Sequence, residues 1–142
     1  MKTATTTTAL CTALLFSANA TAADLKVDVT DIEEVSGNIM LAMYDNADGF
    51  DEGKTQPVHA VAIPVDAETV SITIEDLAAG DYAIKLYHDS NDNGEMDQNM
   101  MGLPIEGYGF SGNGGRFGPP AFSEAAFTVT DDQDSAVTIK LR

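Results

Sequence analysis

The stretch His88-Asp89-Ser90-Asn91-Asp92-Asn93-Gly94-Glu95-Met96-Asp97 has the residue types and spacing that could hold a hard cation. In a calcium loop the first, third and fifth residues give side-chain oxygens and the sixth is a turn glycine. The seventh gives a backbone carbonyl, and the ninth often reaches the ion through water. Asp89, Asn91, Asn93, Gly94, Glu95 and Asp97 fill those places in order. The twelfth place, ordinarily Glu, is Met100, so another carboxylate must complete the shell, and Glu106 and Asp92 are nearby. Asp89, Asp92, Glu95 and Asp97 also put four negative charges within nine residues, and like charges oppose one another's ionisation without a cation. The expectation is one Ca²⁺ bound by Asp89, Asn91, Asn93, Glu95 and Asp97, oxygen ligands favouring it over a transition metal. The incomplete shell predicts an affinity on the order of 10⁻⁴–10⁻³ M, as in extracellular modules. The alternative needs no ion: Asn, Asp and Gly loops also close through side-chain-to-backbone turns.

Other chemistries find less support. The only cysteine is Cys11, in an N-terminal segment expected to be removed. Ser111, in Gly109-Phe110-Ser111-Gly112, lacks the frame and entering strand of a nucleophile elbow. His59 and His88 are the only histidines, which excludes a three-histidine zinc site. A small metal-dependent hydrolase-like enzyme would have to use His88, Asp89 and His59. His88 reads more simply as a strand-end histidine hydrogen-bonded to the loop. Carboxylate pairs of the kind that hydrolyse glycosides can be drawn from so many residues that they discriminate nothing.

After the acidic loop, eight of the twelve glycines fall between Gly94 and Gly118, with Pro104, Pro119 and Pro120 in the same region. Tyr108, Phe110, Phe117 and Phe122 are threaded through it. A long glycine-rich insertion, 89–122, predicts an ordered loop with apolar anchors rather than a linker. Glu106, Tyr108, Phe110, Ser111 and Asn113 are its candidate ligand surface.

Strands must position these residues. Apolar residues alternate with polar or small ones at Leu25, Val27, Val29; at Ile39, Leu41, Met43; and at Val70, Ile72, Ile74. Tyr82, Ile84, Leu86 and His88 share one face, opposite Ala83, Lys85 and Tyr87. Val58–Val65 reads as an edge strand ending at Pro64. Phe127, Val129 and then Val137, Ile139, Leu141 complete about seven strands, the rhythm of an antiparallel, Ig-like β-sandwich. The predicted core is Leu25, Val27, Ile39, Leu41, Ile72, Ile84, Leu86, Val129 and Ile139. Tyr82, just after Gly80, is expected to pin a corner through its hydroxyl. The best helical segment, Ala121 to Ala126, is very short.

The 142 residues fit one domain, and 23 acidic against seven basic residues repel phosphate backbones, which argues against nucleic acid. Lys2, a short apolar run through Phe16 and Ser17-Ala18-Asn19-Ala20 have the parts of a secretory signal peptide, 1–20. The apolar run falls far short of the roughly 18–20 residues a membrane span needs. Cleavage would leave a cysteine-free domain, 21–142, with six basic residues and a net charge of −17. A periplasmic or secreted location is expected.

The motifs His88-Asp89-x-Asn91-x-Asn93-Gly94-x-x-Asp97, Gly102-x-Pro104-x-Glu106-Gly107-Tyr108-Gly109-Phe110-Ser111-x-Asn113 and Gly118-Pro119-Pro120-x-Phe122-x-x-Ala125-x-Phe127 resemble the secreted bacterial family called domain of unknown function 2141. Gly80-Asp81-Tyr82-Ala83 matches it as well. The resemblance spans about residues 24–142 and implies an exported β-sandwich of the transthyretin or carboxypeptidase-regulatory type. It implies no activity. The functional expectation is a non-catalytic binding or structural module with a calcium-ordered loop, facing a protein, small molecule or glycan. The metal-dependent enzyme is the alternative.

Overall fold

The computed structural model describes residues 22–112, 118–131 and 133–142, and among these it forms eight strands and two single-turn helices. The expected signal peptide and Asn113 lie outside the described residues. The elements are β1 (Ala23–Thr30), β2 (Asn38–Tyr44), α1 (Ala47–Phe50), β3 (His59–Pro64), β4 (Val70–Leu77), β5 (Gly80–Asp89), β6 (Tyr108–Phe110), α2 (Phe122–Ala125), β7 (Phe127–Val129) and β8 (Ser135–Lys140). One sheet has the order β4-β1-β8; the other runs β3-β2-β5-β6, with β7 paired to the start of β5.

The two sheets pack face to face. Period-two alternation puts Leu25, Val27 and Val29 of β1 and Ile39, Leu41 and Met43 of β2 into one core with Ile84, Leu86, Val129 and Ile139. Eight of the nine predicted core residues are buried there. Ile72 is only partly buried, although Val70 and Ile74 on the same face of β4 lie in the core. Val58–Val65 is an edge strand as expected, β3, closed by Pro64, whose missing N–H costs nothing at a sheet edge.

Two departures from the expected pattern have physical causes. Every pair is antiparallel except β1–β8, which runs parallel from Leu25↔Ser135 to Thr30↔Lys140. A parallel pair requires a long connection, and here nearly the whole chain separates the two strands. The eighth strand is β6, three residues inside the glycine-rich segment, which therefore joins the sheet instead of remaining loop. Gly109 makes this docking feasible: a Cβ there would stand 2.6 Å from Ile139 Cγ2. Neither helix carries an apolar stripe. α2 falls within the Ala121–Ala126 segment, and α1 begins where the Asn46 side chain accepts the Gly49 N–H at 2.8 Å.

Tyr82 is the expected corner. Its hydroxyl donates to Ala78 O at 3.0 Å, holding the β4–β5 turn, and burial chiefly, then the charge of Asp45, raises its pKa. No helix of the described residues is long and apolar enough to cross a membrane.

Candidate functional site

Strand β5 delivers His88 and Asp89 to opposite faces, as adjacent strand residues must be. Asp89 is almost fully buried. Its Oδ1 accepts the Asn93 N–H at 3.0 Å and its Oδ2 the Gly94 N–H at 2.7 Å, so one carboxylate closes the turn. Gly94 supplies the reversal expected of it, with φ +81°. Asn91 Oδ1 accepts the Asn93 N–H and Asn93 Oδ1 the Glu95 N–H. Both amide nitrogens reach Asp97, Asn91 Nδ2 at 2.7 Å and Asn93 Nδ2 at 3.0 Å. Asp89, Asn91, Asn93 and Asp97 are thus joined in one hydrogen-bonded array. The Glu95 residue is exposed and joins it through its backbone.

The array is closed from a distance. Met100, in the twelfth place, is fully exposed, and the chain turns back immediately after it. Asn99 Oδ1 takes the N–H groups of Met101 and Leu103, and Ile105 N donates to Asp97 O at 2.9 Å. That turn returns Glu106 to the loop. Its Oε1 accepts the Ser90 N–H and its Oε2 the Asp97 N–H, each at 3.0 Å, joining the two ends of the loop. Asp92 points elsewhere, accepting from Asn38 Nδ2 at 2.7 Å.

His88 takes no part. It is buried, and its Nε2 lies 2.8 Å from Ser36 O; a carbonyl only accepts, so Nε2 carries the hydrogen. His59 pairs with Met43 and His88 with Ile39, two strands and four residues apart, which is about 16 Å by strand spacing and rise. The two histidines share no site. Among the described residues no three His, Cys, Asp or Glu side chains form a metal-holding group; the Asp89 array draws half its side-chain donors from asparagine.

The aromatic members of the insertion belong to a different place. Antiparallel strands of a sandwich usually turn polar residues outward, but β2 is apolar on both faces. Its outward Ala42, with Ala60 and Ala62 of β3, gives the larger sheet a floor of small side chains. Tyr108 and Phe110 of β6 rise along one side, and Phe50 of α1 with Pro119 and Pro120 forms the end wall. The result is an apolar trough of about 1010 Å³. Its walls are held by edge-to-face rings: Phe50 meets Tyr44 at 6.0 Å, Phe122 at 6.1 Å and Phe110 at 6.4 Å between centroids. Lys85, on the outward face of β5, is the trough's one cation among the described residues. Its Nζ donates to Phe50 O at 3.0 Å and sits 4.6 Å from the Tyr44 ring centroid. Burial lowers the Lys85 pKa, partly offset by the charge of Asp51.

The candidate surface residues therefore separate. Tyr108 and Phe110 line the trough. Glu106 closes the acidic loop. Ser111 is no surface residue: it is fully buried, its Oγ accepting the Ile84 N–H at 2.8 Å and donating to Ala125 O at 2.7 Å, which braces α2 to β5. Met40, Ala42, Ala60, Ala62 and Lys85 were not expected at a site. Their cue in the sequence is the outward face of β2, where Met40, Ala42 and Tyr44 are apolar and no covering element is evident.

Fold and trough together describe a small two-sheet β-sandwich with an apolar concavity on its outer face. The chain belongs to the family of uncharacterized proteins conserved in bacteria, domain of unknown function 2141, whose model matches residues 27–138. Neither a curated protein nor a solved structure matches it.

Proposed function

We propose that this chain is an exported, non-catalytic binding module: the trough takes an apolar ligand and the Asp89–Asp97 loop is ordered by Ca²⁺. The observation that carries this reading is the trough itself. A concavity of about 1010 Å³, largely apolar on its floor and walls with Lys85 and Asp51 as its charged residues, has the size and lining of a small-molecule site. Export is supported by residues 1–20, whose basic start, apolar run and Ala-x-Ala end fit a signal peptide. Calcium is supported by the alternate oxygens of Asp89, Asn91 and Asn93 and by Glu106, which joins the loop ends where the twelfth residue is Met100. For the amides to ligate an ion they must turn oxygen inward, which is a rotation about their last side-chain bond.

The test is a fluorescence titration with N-phenyl-1-naphthylamine, an uncharged apolar probe, on wild type and on Ala62→Arg. Ala62 is exposed on edge strand β3, where a long side chain fits without disturbing the core. Saturable one-site binding that Ala62→Arg removes is the expected result. Absence of saturable binding, or equal binding by the variant, refutes the reading.

A further inference from the structure

Resting on the proposed trough, we propose that its ligand is an apolar molecule carrying one carboxylate, with Lys85 as the residue that selects the acid. The described lysines at positions 26, 54 and 140 each pair with a carboxylate at the surface. Lys85 does not. It stands in the outward face of the central strand β5, half-buried among the aromatic walls, with no ion-pair partner among the described residues. An ammonium has three N–H donors. Phe50 O takes one, and the Tyr44 and Phe50 rings, 4.6 and 5.4 Å away, face the charge without accepting a full hydrogen bond. Two donors remain for a ligand beside an apolar floor.

Placing a cation there has a cost, because burial disfavours the charged form; burial is the main reason its pKa is lowered. A carboxylate delivered by the ligand offsets that cost and forms charge-assisted hydrogen bonds in a partly dry setting, where they are stronger than in water. Asp51 is a carboxylate within the trough's own lining, and its Oδ1 is held by the Phe122 N–H at 2.7 Å, tying α1 to α2. The net negative charge of the chain disfavours any anion at long range, yet at physiological salt that field decays over about 8 Å, whereas Lys85 acts at contact.

The experiment compares 2-naphthoate with its neutral counterpart 2-naphthylmethanol by calorimetric titration of the wild type, Lys85→Met and Lys85→Arg. The expected result is that wild type binds the acid at least about tenfold more tightly than the alcohol. Lys85→Met should lose that preference, and Lys85→Arg should retain it. If wild type binds both probes equally, or if Lys85→Met keeps the preference, Lys85 does not select an acid although the trough still binds. If neither probe binds wild type, the trough reading falls and this inference with it. The wild-type comparison alone decides the point should a variant fail to fold.

Discussion

The Asp89–Asp97 loop is polar and continuous in sequence, whereas the trough is largely apolar and assembled from β2, α1 with Asp51, β3, β5, β6 and residues 119–121, the loop adding only Met96 to its lining. Most of the loop's bonds join residues two to six positions apart, with Glu106 returning across nine to join its end. The trough exists only once the strand register has brought Ala42 beside Ala60 and Lys85. A site made by local spacing can be read along one segment. A site made by a sheet face belongs to the register, and no single segment announces it.

The largest effect should come from the strand that supports both regions. Leu86 lies on the inner face of β5, between the outward Lys85 and Tyr87, and is almost fully buried. Leu86→Ala should cost roughly 2–5 kcal/mol in chemical denaturation. It should weaken trough binding and loop stability together. A loss under about 1 kcal/mol would mean that the two sheets do not close over this position.

Calcium should then separate the regions. A ligand that binds only the folded chain stabilises it by about 2.7 kcal/mol at a hundredfold excess over its dissociation constant. The thermal midpoint of the wild type should therefore rise in millimolar calcium relative to chelator. Asp89→Ala should abolish that rise. It should also take the acceptor from the Gly94 N–H, while the Asn93 N–H keeps Asn91 Oδ1. Equal wild-type midpoints with calcium and chelator would leave the loop as a set of Asx turns that needs no ion.

The opposite separation uses Gly109. A Cβ at this residue meets Ile139 Cγ2 at 2.6 Å and Lys140 O at 3.1 Å, so Gly109→Ala must push β6 away from β8. Overpacking of this kind costs about 1–3 kcal/mol. It should displace Tyr108 and Phe110 and weaken probe binding in the trough, while the calcium response of the loop persists. Unchanged probe affinity would show that β6 is not a wall that matters.

Much of this molecule is legible in its sequence because strand alternation is local. The faces of β1, β2 and β5 follow from Leu25, Ile39 and Ile84 and their neighbours, and Gly80 with Tyr82 marks the corner. Ile72 alternates as strictly as these yet is only partly covered between buried Val70 and Ile74, because alternation gives the face of a strand and not how well each position on it is covered. Ser111 illustrates the same limit at the site. Its glycine-rich setting suggests an exposed loop, but its hydroxyl bonds Ile84, 27 residues away, and no short-range pattern encodes that contact. The parallel β1–β8 pair is equally silent in sequence, since either direction of β8 would bury Ile139.

Tyr87 belongs to both regions and gives the smallest but most diagnostic effect. Its ring lines the trough, and its hydroxyl donates to Gly94 O in the loop at 3.0 Å. Tyr87→Phe keeps the ring and removes the bond, so it should lower stability by about 0.5–1.5 kcal/mol at neutral pH with the trough intact. The sign of the pH dependence follows from the phenol. Burial, then the charges of Asp89, Glu106 and Glu95, raise its pKa above the ordinary value of 10.0. The folded chain thus holds this proton more tightly than the unfolded one, so stability falls as the pH rises from about 10 through the raised value. Ionisation also removes the donor to Gly94 O and adds a negative charge beside three carboxylates. Denaturation of wild type and Tyr87→Phe should therefore show a gap that is full at neutral pH and closes progressively above pH 10. A gap that stays constant through that range would mean that the Tyr87 hydroxyl does not hold the loop to the sheet, and that the two regions meet through Met96 and β5 alone.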